Sequence, residues 1–191
     1  MSIVEAVKGL AVNPFSAWLN FYCAVEYEKE GQIFSAITFY LRAAEFGRTD
    51  DGYDEEKLIY NSLLKVARCL EPQRERDYSV TNCLLQAITV CPERPEAYWM
   101  LSQYHERLGN WQESYTYAVM GLVFWWDQDF LEADVGYEGE YCLEFQKAVA
   151  AYWIGRRDES IQLLRQLQQS IVSETYATAV KSNLERIDAG I

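Results

Sequence analysis

The stretch EYEKEGQIFSAITFYLRAAEFG, Glu26–Gly47, decides the fold. A lone glycine, Gly31, separates two amphipathic runs, and small Ala36 then precedes bulky Ile37, Phe39, Tyr40 and Leu41. Helix, break, helix is the reading that this periodicity supports. Gly31 ends the first helix in a left-handed conformation that costs glycine little. Ala36 then lets the second helix fold back closely against the first, while the large side chains fill the groove around the crossing.

The same arrangement recurs around Gly109 and Gly155. Seven residues before each glycine stand Ala24, Ser102 and Ala148; five after stand Ala36, Ser114 and Ser160, followed by bulky Ile37, Tyr115 and Ile161. Four before are Tyr27, His105 and Ala151, and twelve after are Ala43, Gly121 and Leu167, so the third copy departs at both places. A hairpin without the glycine, LIYNSLLKVARCLEP then DYSVTNCLLQAITVCP, fills the long gap. The glycine spacings fit units of about 34 residues with short insertions.

Helices are predicted over 14–30, 33–47, 54–70, 77–91, 95–109, 111–124, 138–154, 157–170 and 173–188. Asn13 is the expected N-cap of the first, with Pro14 in its first turn. Pro95 opens another helix in the same way, and Asp158 and Glu159 put negative charge at the positive end of theirs. The fold class expected is all-α: a right-handed α-solenoid of about four helical hairpins in one domain. Its units are about 14–47, 54–92, 95–126 and 138–170, with an acidic insertion at 127–137 and a capping helix at 173–188.

Composition narrows the function. At 191 residues, half of them hydrophobic, the chain can bury a sizeable core, and disorder is disfavoured. A net charge of −12 repels phosphate backbones and anionic lipid, so neither nucleic acid nor a membrane surface is an expected partner. The longest apolar run, Tyr117–Trp126, is about half the roughly 20 residues that span a bilayer. The N-terminus, interrupted by Glu5 and Lys8, is a poor secretion signal, which places the chain in the cytoplasm. Cys23, Cys69, Cys83, Cys91 and Cys142 form no CxxC pair and read as reduced, buried thiols.

The segment RPEAYWMLSQYHERLGNWQESYTYAVMGL, Arg94–Leu122, resembles a tetratricopeptide repeat (TPR), and about four fifths of the chain is covered by similar units. More narrowly, AVEYEKEGQIFSAITFYLRAAE, PERPEAYWMLSQYHERLGNW and GYEGEYCLEFQKAVAAYWIG are similar to helical-repeat segments joined to glycosyltransferases of cyanobacterial viruses and related microbes. That resemblance implies a viral or bacterial origin (host cytoplasm in the viral case) and a role beside a sugar-transferring enzyme, without implying transferase activity in this chain.

Three patterns of residues invite a chemical reading. Asp127 and Asp129 after a short apolar run resemble the DxD motif of glycosyltransferases. That motif needs a strand in an α/β sheet, however, and here the run continues a helix begun at Trp111. Asp127, Asp129 and Glu138 also occupy the first, third and last places of a calcium loop, but Leu131 and Glu132 stand where an oxygen ligand and the turn glycine belong. A solvated acidic loop of Asp127, Asp129, Glu132 and Asp134 is the simpler reading. No Lys or Arg occurs from Leu108 to Gln146, so this edge favours a basic partner. His105, the one histidine, occupies the inter-helix position of Tyr27 and reads as packing. No cofactor, metal site or enzymatic activity is expected.

Stacked hairpins line their concave side with the first helix of each pair. That projection selects Trp18, Phe21 and Glu28, then Asn61 and Arg68, then Trp99, Gln103 and Glu106, and finally Phe145 and Tyr152. Aromatic rings beside polar groups suit an extended peptide or a partner helix. The expected function is therefore a protein–protein interaction module. The alternatives are an accessory subunit of a glycosyltransferase and a viral assembly protein that homo-oligomerises.

Overall fold

The computed structural model describes residues 1–47, 55–73, 75–124, 131, 133–170 and 173–189. These residues form ten helices and no strand: α1 (Ile3–Val12), α2 (Ala17–Lys29), α3 (Ile33–Phe46), α4 (Glu55–Leu70), α5 (Asp77–Val90), α6 (Pro95–Arg107), α7 (Trp111–Gly121), α8 (Glu140–Trp153), α9 (Arg157–Ser170) and α10 (Glu174–Asp188). They divide into two compact units. Unit 1 holds Met1–Glu93 and Asp129–Val135; unit 2 holds Arg94–Gln128 and Gly136–Ile191.

Three hairpins, α2/α3, α6/α7 and α8/α9, turn on the glycines read from the sequence. Gly31, Gly109 and Gly155 have φ of 72°, 74° and 85°. Each is accompanied by the same pair of backbone bonds. Gly31 N donates to Glu28 O at 3.0 Å and Gln32 N to Tyr27 O at 2.8 Å; Gly109 and Asn110 repeat this onto Glu106 and His105, and Gly155 and Arg156 onto Tyr152 and Ala151. This is the Schellman closure, which satisfies carbonyls that a helix end otherwise leaves open. The glycine-less hairpin α4/α5 has Glu75 as its left-handed residue instead, with φ 60°.

A Cβ added at Gly109 would meet nothing within 4 Å. Gly109→Ala therefore isolates the backbone cost, and a loss of about 1–2 kcal/mol is expected in urea unfolding. A loss near zero would show that the left-handed turn is not what closes the hairpin.

The small residues at the crossings are fully buried: Ala24 and Ala36, Ser102 and Ser114, Ala148 and Ser160 all show 0% exposure. In α6/α7 the pair is also bonded, with Ser102 Oγ donating to Ser114 O at 2.8 Å and lying 3.2 Å from Ser114 Oγ. In unit 1 the hairpins pack successively, α3 against α4, and Phe21, Tyr40, Tyr60 and Leu64 are buried. In unit 2, α7 packs on α8, and α10 closes the stack over α8 and α9 through Ala148, Leu164, Leu167 and Val180.

The N-terminal region corrects the sequence reading. Ile3–Val12 is a helix, capped by a reciprocal pair in which Ser2 Oγ accepts from Glu5 N and Ser2 N donates to Glu5 Oε2. Asn13 ends α1 rather than beginning α2; Ser16 is the N-cap of α2, its hydroxyl accepting from Leu19 N at 3.3 Å. α7 stops at Gly121 rather than running to 124, and Phe124 instead stacks on Tyr98 with centroids 5.9 Å apart. No helix among the described residues is long and apolar enough to cross a membrane.

Candidate functional site

Unit 2 contains a half-open groove of about 300 Å³. Three of the residues selected from the sequence meet there: Glu106 from α6, with Phe145 and Tyr152 from α8. Val149 lies between the last two, since i, i+4 and i+7 share one helix face. Trp111 of α7 and Trp153 of α8 form a second wall, stacked at 5.0 Å and 17°, and Trp153 is 59% exposed. Ser160 and Leu164 of α9 and Asn183, Arg186 and Ile187 of α10 complete the lining.

The polar groups in this groove are few and unevenly satisfied. Glu106 is half-buried, and burial raises its carboxyl above the usual range, partly offset by a hydrogen bond from the Gln146 side chain. No ion pair reaches Glu106 among the described residues. Ser160 Oγ is buried without a hydrogen-bond partner, and so is Gln146 Oε1. Beside the groove the opposite holds. Glu159 accepts from Tyr115 OH at 2.9 Å and pairs with Lys147 at 3.0 Å and Arg156 at 3.6 Å. Burial pushes Glu159 upward, but these bonds and charges outweigh it and leave its carboxyl below the ordinary value. Arg156 also lies 4.6 Å over the Tyr115 ring, and Arg157 lies 5.2 Å over Tyr152.

The other selected residues have different surroundings. Phe21 and Trp99 are each 3% exposed and Asn61 is fully buried, so these three are interior rather than surface. Phe21 packs edge-on against Tyr40, and Trp99 lies against Tyr137. Asn61 is fixed by two bonds: Nδ2 donates to Lys57 O at 2.7 Å, and Oδ1 accepts from Ala133 N at 2.8 Å. Glu28 is already engaged, accepting from Tyr40 OH at 2.6 Å and pairing with Lys65 at 3.3 Å. Trp18 and Gln103 are half-buried and Arg68 is exposed; none of the three lines the unit 2 groove.

Asp134 is exposed, whereas Asp127, Asp129 and Glu132 lie outside the described residues, and with them the DxD and calcium readings. His105 stacks on Tyr117 at 5.5 Å, and burial lowers its pKa against the opposing charge of Glu113. All five cysteines are free; Cys91 is half-buried and the other four are buried. Burial raises the thiols of Cys23, Cys69, Cys83 and Cys142, to about 11 for Cys69, which keeps them poor nucleophiles.

No protein-family model and no curated protein matches the chain by sequence. Solved structures match its fold. BtubC (BKLC) from P. vanneervenii has a TM-score of 0.71 at 15% identity, over 99% of this chain and 80% of its own. PilW, a widely conserved type IV pilus biogenesis factor, has a TM-score of 0.65 at 16% identity, over 92% and 72%. The thermophilic TPR protein TTC0263 of Thermus thermophilus has a TM-score of 0.55 at 14% identity, over 95% and 88%. At such identities the likeness concerns architecture alone: the chain has an all-α, TPR-like helical-repeat fold of the α-solenoid class.

Proposed function

We propose that the chain is a non-enzymatic protein-interaction module and that the unit 2 groove is its partner-binding surface. The observation that carries this reading is the convergence of Glu106, Phe145, Val149 and Tyr152 in one half-open groove on the first helices of successive hairpins. Aromatic anchors in a partly desolvated pocket are where binding energy concentrates in protein interfaces. Their helices are locked by the Schellman turns and the Ala148–Leu164–Leu167–Val180 core, so little ordering remains to be done on association.

Tyr152→Ala tests it. Affinity capture from the native cell is expected to lose its partner with this variant, by about 2 kcal/mol of binding, while helix content stays unchanged. An unaltered set of captured proteins would end the reading. The sequence resemblance supports a glycosyltransferase as the first partner to look for. A closed homo-oligomer in light scattering would instead favour the assembly reading.

A further inference from the structure

We propose that the unit 2 groove receives an arginine side chain of an extended protein partner, its guanidinium on the Glu106 carboxylate and Ser160 Oγ and its stem against Phe145 and Val149. This rests on the reading of the groove as the partner-binding surface and gives that partner a chemistry.

The first observation is Ser160. Its side chain is fully buried, lines the groove, and has no hydrogen-bond partner. The equivalent hydroxyl of the preceding hairpin, Ser114, is matched by Ser102 across the helix crossing. In α8/α9 the residue at the position of Ser102 is Ala148, which has nothing to offer. A buried hydroxyl left open is costly, and a donor entering the groove would satisfy it.

The second is Glu106. Glu159, the carboxylate beside the groove, has both Lys147 and Arg156 against it. Glu106 has only the Gln146 amide. An acidic guest would strip water from this carboxylate with no compensation and a neutral donor would compensate in part, whereas a cation adds its charge to the hydrogen bond. Gln146 Oε1, open beside it, is another acceptor. Groove and margin thus offer acceptors in want of donors.

The third is the wall. Phe145, Tyr152 and the Trp111–Trp153 stack line the groove. Unit 2 already uses such rings against guanidinium groups, Arg156 over Tyr115 and Arg157 over Tyr152. Lys147 also lies 6.0 Å over the Tyr115 ring. A planar guanidinium, however, can bond a carboxylate through two parallel N–H groups and stack flat on a ring, where an ammonium makes a point contact. Arg186, the cation lining the groove, stands exposed on α10, where water screens it more than it screens half-buried Glu106. The net charge of −12 adds long-range attraction.

The test is a titration of the full chain with the blocked peptide acetyl-Gly-Gly-Arg-Gly-Gly-amide, read from the indole N–H signals of Trp111 and Trp153. Binding with a Kd on the order of 1 mM is expected, and about tenfold weaker binding when citrulline replaces arginine. Glu106→Gln should also weaken it about tenfold. Ser160→Ala should weaken it severalfold while leaving the urea midpoint unchanged or higher, because removing an unpaired buried hydroxyl does not destabilise. The proposal is overturned by equal binding of the citrulline peptide, by unchanged affinity in Glu106→Gln, by free arginine binding as tightly as the peptide, or by no response. If the peptide fails while Tyr152→Ala still abolishes native capture, the arginine assignment falls and the partner surface stands. If capture ignores Tyr152, the surface itself falls.

Discussion

Trp99→Ala is expected to cost unit 2 about 3–5 kcal/mol, the usual loss on deleting a large buried ring. The indole is 3% exposed, lies 5.8 Å from the Tyr137 ring, and is flanked by the chain at Gly136, where an added Cβ would touch it at 3.8 Å. Near-UV circular dichroism against urea checks this. A loss below about 1 kcal/mol with intact helices would mean that the ring is a surface group after all. Failure of this variant to bind a partner is therefore no evidence about binding, since the loss passes through folding.

Glu96→Ala is expected to be as damaging. Arg94 and Glu96 form a forked pair, Nη2 to Oε1 at 2.7 Å and Nε to Oε2 at 3.3 Å, with Arg94 6% and Glu96 5% exposed. Removing Glu96 takes this fork away from a buried guanidinium, and breaking a buried pair costs about 3–5 kcal/mol. Replacing both, as Arg94→Met with Glu96→Leu, should cost less than the sum of the two single losses, because their mutual interaction is lost only once. A double-mutant cycle measures the difference. Additive single losses would show that the two side chains are not coupled.

The hairpin scheme is legible in the sequence because its determinants are local. A glycine that must go left-handed and small residues at fixed distances from it can be read without knowing what packs outside. Helix α1 has a local signal too, Ser2 and Glu5 at capping-box spacing, but the charged residues that cap and solvate it also make the stretch read as a failed secretion signal. What cannot be read depends on distant segments. Phe21 and Trp99 carry the same helical periodicity as Phe145 and Tyr152, and only the neighbouring elements decide which ring is covered. Glu28 looks available in the sequence because its partner Lys65 lies 37 residues away. Arg94 and Glu96 stand at a spacing that does not meet on a helix. They meet because Arg94 is the extended residue before α6, with φ −100° and ψ 132°. The groove is half legible: periodicity puts Glu106, Phe145 and Tyr152 on one surface, but the open hydroxyl of Ser160 emerges only once the helices are packed.

Asn61 gives the two units a consequence for anyone dissecting the chain. Its carboxamide oxygen is capped by the amide of Ala133, a residue numbered after the whole of α6 and α7. Unit 1 is thus interleaved with unit 2 along the polypeptide, and no single scission releases both intact. A fragment ending at Glu93 carries Asn61 but forfeits the donor that satisfies it.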